Sequence, residues 1–201
     1  MVKLFFLIFT ILFFLSSCEK KDERSELSQS INSLSKDDQF RLLSSERLAP
    51  NDTLISYDGS KILLSEIDGD IIVIDFWATW CSPCYKAIPK FHDLASKYKS
   101  NQVNFILVSI DSDIDFWKSE ALQNEWTDKS YWIGDEGFKN KLYSLVYEEL
   151  ELEDGKSIVT ALPHYLIITK AGEIHLNTAQ TTPAAVSFKE SIDSLVQALK
   201  F

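Results

Sequence analysis

The sequence predicts an α/β fold in which a mixed central β-sheet is flanked by helices, with an N-terminal hairpin and a helical insertion in its second half. Three observations predict it. Ile71-Ile72-Val73-Ile74 and Asn104 to Ile110 are near-continuous apolar runs, as expected of strands covered on both faces. Between them Ala87, Phe91, Leu94, Ala95 and Tyr98 recur at i, i+4, i+7, i+8 and i+11, which is one buried stripe of a helix. The chain closes with two apolar runs around a short turn and then an amphipathic segment.

Taken in order, Leu54 to Tyr57 and Lys61 to Leu64 bracket Asp58-Gly59, a pair suited to a tight hairpin turn. The first buried strand runs from Ile71 towards Ala78. A helix from about Ser82 to Lys99 follows, with Pro89 inside it and expected to kink it. Strand, helix, strand is the crossover unit of an α/β sheet, and such crossovers are right-handed. Phe116 to Glu125 and Phe138 to Leu150 read as helices, separated by Trp126 to Gly137, and the acidic turn Glu151 to Gly155 ends the second. Tyr165 to Thr169 and Glu173 to Asn177 form a hairpin around Lys170-Ala171-Gly172. On the last helix Phe188, Ile192, Leu195, Val196 and Leu199 share a face.

Residues 1–17 read as an export signal, with Lys3 ahead of the apolar run Leu4 to Leu15, which is too short to span a bilayer comfortably. Leu15-Ser16-Ser17-Cys18 resembles the bacterial lipoprotein box. That resemblance implies cleavage before Cys18, lipid attachment to its sulfur, and a place in the cell envelope facing the periplasm or the cell surface. Residues 18–45 are then a lipid anchor and flexible tether, of which 19 to about 36 are charged and serine-rich with few apolar side chains, and residues 46–201 one domain. Losing the signal removes Lys3 and no acid, so the formal charge of −10 becomes −11. A chain this acidic, without a basic stripe, repels polyphosphates, which argues against a nucleic-acid partner.

Of three cysteines, two remain for chemistry. Trp80-Cys81-Ser82-Pro83-Cys84 lies where an apolar strand gives way to a helix, and a thiolate is electrostatically favoured at a helix N-terminus. That position makes the pair a candidate redox-active disulfide needing no other cofactor. Asp75-Phe76-Trp77-Ala78-Thr79-Trp80-Cys81-Ser82-Pro83-Cys84, with Pro89 five residues on, resembles the active-site segment of the thioredoxin superfamily. The resemblance extends from the Leu54 hairpin through Pro163 to the final helix, and with the lipoprotein box it is nearest the membrane-anchored TlpA/ResA-like branch.

The resemblance implies a thioredoxin-like fold and a thiol-disulfide oxidoreductase that reduces periplasmic or cell-envelope proteins, supplied by a membrane thiol donor. Cys81 is then the attacking thiol, favoured by the helix dipole and free backbone N–H groups. Cys84, one turn on, resolves the mixed disulfide. Asp75 matches the family's buried acid, whose pKa burial should raise, fitting it for proton exchange with Cys84. Leu162-Pro163 matches the cis-proline loop, which with Trp80 would bind an extended substrate segment. Many TlpA/ResA-like chains carry a glutamate three residues after the second cysteine; Ala87 stands there.

Two other functions compete: a thioredoxin-like binding module with a permanent structural disulfide, and a peroxiredoxin-like peroxidase. A four-residue disulfide loop removes little unfolded-chain entropy, and no T-x-x-C nucleophile lies outside the C-x-x-C. No metal site is expected. Asp111-Ser112-Asp113-Ile114-Asp115 begins like a calcium loop, but Phe116 replaces the needed glycine and Leu122 the bidentate acid, so helix capping explains the aspartates better. Cys81, Cys84 and His164 lack a second histidine for copper(I). His92 and His175 read as surface residues, and Trp117, Trp126 and Trp132 as packing residues.

Overall fold

The computed structural model describes residues 48–98, 102–135, 139–152, 155–179 and 181–199. The signal, Cys18 and the tether therefore lie outside the described residues. Among the described residues no helix is long and apolar enough to cross a membrane.

The chain enters through β1 (Thr53–Ser56) and β2 (Lys61–Leu63), paired antiparallel with Leu54 opposite Ile62. Gly59 takes a φ of +90°, open to glycine without strain, and Asp58 Oδ1 accepts from the Ser60 N–H at 2.9 Å to close the turn. Next, β3 (Ile71–Trp77) is buried at all seven positions, the outcome that a continuous apolar run predicts for a central strand. Helix α1 (Ser82–Ala95) turns its Ala87, Ile88, Phe91 and Leu94 side chains inward, and β4 (Val103–Ser109) returns parallel to β3.

Helix α1 stops four residues short of the expected Lys99. Its final turn is diverted as the Ser96 hydroxyl donates to the Asp93 carbonyl at 2.7 Å, a local bond that competes with continued helix. Pro89 lies within α1 without ending it. Beyond β4 comes α2 (Ile114–Gln123), where helix was expected, and then β5 (Ser130–Trp132), in the stretch to which no element was assigned. Three residues carry no legible period. Partners on both sides define β5: it is parallel to β4 and antiparallel to β1.

The expected helix from Phe138 to Leu150 does not form. Lys141–Leu145 make a short 3-10 helix that buries Leu142; β6 (Tyr147–Leu152) and β7 (Gly155–Thr160) then pair as an antiparallel ribbon. Leu142 and Val146 imitate helical spacing for one turn, whereas Leu150 and Leu152 alternate with Glu149 and Glu151, and Ile158-Val159-Thr160 are β-branched. The period therefore changes from 3.6 to 2 inside the segment, and the insertion is a ribbon.

Finally β8 (His164–Thr169) and β9 (Ile174–Thr178) form the expected hairpin, with Gly172 at a φ of +87°, and α3 (Val186–Ala198) buries Phe188, Ile192 and Leu195. The main sheet runs β2-β1-β5-β4-β3-β8-β9. Antiparallel β8 places Tyr165 opposite Asp75, and the Tyr165 ring contacts Phe91 of α1 and Phe188 of α3 at 6.3 and 5.3 Å. Both helices thus cover the sheet face that bears Asp75 and Tyr165, since directly opposed residues share a face.

Phe188→Ala should cost about 3–5 kcal/mol of unfolding free energy, because it empties a fully buried contact between α3 and the sheet. Chemical denaturation measures it; a cost under about 1 kcal/mol would show that this helix contributes little to the core.

Candidate active site

Three loops meet at one end of the sheet. Residues 78–81 leave the C-terminal end of β3, residues 110–113 leave the same end of its parallel neighbour β4, and Ala161-Leu162-Pro163 lead into antiparallel β8. Phe76 pairs with His164, so one step further the register brings Trp77 level with Pro163. The crevice beyond the carboxyl ends of parallel strands is the usual place for an α/β site.

Cys81 and Cys84 are joined by a disulfide, S–S 2.00 Å, at the start of α1. Cys81 is the N-cap: its Sγ accepts from the Cys84 backbone N–H at 3.2 Å, and its carbonyl accepts from the same N–H at 3.0 Å. Ser82-Pro83 occupy the first two helical positions, where proline's missing N–H costs nothing and its fixed φ suits the helix. Negative charge developing on Cys81 would face free N–H groups and the positive helix end. Cys84 is fully buried and Cys81 4% exposed, while Trp80 stands out at 64%. Trp77 packs inward, edge-on to Tyr85 and Trp126 at centroid distances of 6.1 and 5.4 Å.

Asp75 lies within the buried stretch of β3, on the sheet face covered by the helix that carries Cys84. Neither of its carboxylate oxygens has a hydrogen-bond partner among the described residues. Complete burial pushes its pKa well above the ordinary carboxylate range, because the charged form loses its hydration. Tyr165 is raised too, chiefly by burial and then by the Asp75 charge.

The Leu162–Pro163 peptide is cis. Leu162 packs against the core, and His164 links Nε2 to Asn177 Oδ1 at 2.6 Å with its ring edge-on to Phe76. Ala87 turns inward on α1, three residues after Cys84. Of the residues singled out from the sequence, Asp75, Trp80, Cys81, Cys84, Leu162 and Pro163 thus converge on one end of the sheet. Cys18 is outside the described residues.

Asp111 was missed as a site residue. Of the aspartates assigned to helix capping, Asp113 does cap α2, accepting from the Asp115 N–H at 2.8 Å. Asp111 instead reaches across to the cysteine loop. It accepts from the Thr79 N–H at 3.1 and 3.0 Å, from the Thr79 hydroxyl at 2.7 Å, and from the Ser109 hydroxyl at 2.7 Å. Its own carbonyl accepts from the Trp132 indole at 2.6 Å. The available signal was position: an acid two residues after a buried parallel strand whose neighbour leads into the cysteines. His92 also differs from expectation, being half-buried against Phe91 and Trp126, with burial lowering its pKa.

The thioredoxin-like family profile matches residues 69–174. ResA thiol-disulfide oxidoreductases are similar over a shorter stretch: that of Bacillus anthracis is 38% identical over 63 residues, 31% of this chain and 36% of the relative. That of Bacillus subtilis is 36% identical over 62 residues, 31% and 35% of the two chains. The chain therefore spans about a third of the length of these curated relatives. Among solved structures, the thioredoxin domain of a Bacteroides vulgatus thiol-disulfide oxidoreductase superposes with a TM-score of 0.57 at 19% identity, over 74% of this chain and 95% of that one. A thiol:disulfide interchange protein from a Bacteroides species gives 0.56 at 18% identity, over 73% and 88%. At such identities the likeness establishes the shared fold.

Because Asp75 has a raised folded-state pKa, the unfolded chain releases its proton first as pH rises above about 4, and stability falls from there. Asp75→Asn should therefore gain stability relative to the unaltered protein as pH rises from 4 to 7, with the difference shrinking as pH is lowered towards 4. Denaturant midpoints across a pH series measure this. A pH-independent difference would remove Asp75 as the cause.

Proposed function

The chain belongs to the thioredoxin-like family, and on that premise we propose that it is an exported, lipid-anchored thiol-disulfide oxidoreductase that reduces disulfides of cell-envelope proteins. The observation that carries this reading is the Cys81–Cys84 pair at the N-terminus of α1, with Cys81 Sγ accepting the Cys84 N–H. A purely structural crosslink would gain little there, since both cysteines already sit in one helical turn. A nucleophile gains a lowered pKa.

The chemistry starts from the dithiol. Cys81, as thiolate, attacks one sulfur of a client disulfide; a Cys81–client bond forms, the client S–S bond breaks, and the departing sulfur takes up a proton. Cys84 then gives up its proton, with Asp75, whose pKa burial raises, as the group that exchanges it. The Cys84 thiolate attacks Cys81 Sγ, releasing the second client thiol and leaving the disulfide seen here. Two electrons have passed from protein to client. A membrane thiol donor returns the pair to the dithiol.

Client contact falls to the exposed Trp80 and to the Leu162-Pro163 loop, whose backbone can pair with an extended segment. The ResA relatives, named thiol-disulfide oxidoreductases, support the reaction class. The lipoprotein-box resemblance at Cys18 supports the envelope location and the anchor.

Purified protein lacking the signal should reduce a test disulfide with a thiol donor. Cys81→Ser should lose at least about 10³-fold in rate, while Cys84→Ser should accumulate a mixed disulfide resolvable by non-reducing electrophoresis. A Cys81→Ser protein as active as the parent would overturn the reading.

A further inference from the structure

The geometry points to Asp111 as the residue that sets how readily Cys81 ionises, holding the Thr79-Trp80-Cys81 turn in place and presenting a fixed negative charge behind it. This rests on Cys81 being the nucleophile. Asp111 is 2% exposed and is an acceptor in all four of its carboxylate hydrogen bonds, two from the Thr79 N–H, one from the Thr79 hydroxyl and one from Ser109. None of these partners carries a charge. The carboxylate is therefore solvated by dipoles, and its field acts on its surroundings rather than being cancelled by an adjacent cation.

Thr79 is two residues from Cys81, and the turn between them is closed by the Cys81 N–H donating to the Ala78 carbonyl at 3.0 Å. Backbone dimensions then put the Asp111 carboxylate within roughly 10 Å of the Cys81 sulfur. At that distance, in a protein interior, a fixed unit charge moves a thiol pKa by about one pH unit. Tyr85, the residue after Cys84, has its pKa pushed up to about 12, mainly by burial and by Glu120 and in part by Asp111.

The helix end and the Asp111 charge therefore oppose each other at Cys81. The helix stabilises the thiolate; Asp111 destabilises it and, with it, the dithiol form, which makes the pair a stronger reductant. Among the described residues, the titratable groups around the site include Cys84 on α1, Asp75 and Tyr165 in the sheet, His164 after the cis-proline, and Tyr85 with Glu120 on the helical side. Asp75 changes its proton during turnover in the proposed cycle. Asp111 is held by three donor groups, the Thr79 N–H, the Thr79 hydroxyl and the Ser109 hydroxyl, and takes no part in that proton exchange.

Asp111→Asn isolates the charge, because an amide keeps an oxygen for Thr79 and the Ser109 hydroxyl can rotate to accept from its NH₂. In the reduced protein the Cys81 pKa, read from the pH dependence of alkylation, should fall by about one unit. The equilibrium with glutathione should shift about tenfold towards the dithiol. Thr79→Val, which removes one hydrogen bond and keeps the charge, should leave the Cys81 pKa within about 0.3 unit of the parent. A parental pKa and glutathione equilibrium in Asp111→Asn overturn the proposal, as does an equal shift in Thr79→Val. In the unaltered protein, which needs no variant to fold, the Asp111 carboxyl ¹³C shift should step as Cys81 titrates, and a flat trace also overturns it. All three readouts follow ionisation of the dithiol, so they are independent of whether a client disulfide is reduced.

Discussion

Strand β3 is buried along its whole length between β4 and β8, and the geometry of the site follows from that placement. A central strand must pair its backbone on both edges, because unpaired N–H and C=O groups away from water cost free energy. Parallel β4 satisfies one edge and antiparallel β8 the other. Those two directions bring the loop after β3, the loop after β4 and the loop before β8 to the same end of the sheet. Cysteine pair, Asp111 and cis-proline loop come together because the backbone of β3 must be satisfied.

The same burial gives the two carboxylates of the region opposite characters. Asp75 sits inside β3 with no hydrogen-bond donor among the described residues, so its charged form is poorly solvated and a proton is favoured. Asp111 sits one strand away among four hydrogen bonds from Thr79 and Ser109. One acid is equipped to exchange a proton and the other to hold a loop.

The elements that could be read from the chain were those with enough residues to display a period or a turn signature. Ile71 to Ile74 and Asn104 to Ile110 marked the two central strands, Asp58-Gly59 and Lys170-Ala171-Gly172 the two hairpins, and the Phe91 and Phe188 stripes the helices packed on one sheet face. Where the local signal was short or mixed, it misled. β5 has three residues and exists through its partners in β4 and β1. The stretch after Lys139 shows one turn of helical spacing at Leu142 and Val146, then a period of two, and strand pairing between β6 and β7 resolves the conflict.

The candidate site divides in the same way. The sequence by itself determined the cysteine pair, its place at a strand-to-helix junction and the proline at Ser82-Pro83, because these lie within one continuous decapeptide whose chemistry is local. Asp75 and Pro163 were legible through the resemblance to the thioredoxin superfamily. Only the tertiary structure decided that Asp75 faces the helix bearing Cys84, that the Leu162-Pro163 loop shares its end of the sheet, and that Asp111 grips Thr79 from 32 residues away. Contacts at that separation depend on strand order and register, and no periodicity within a single segment encodes which strand will be its neighbour.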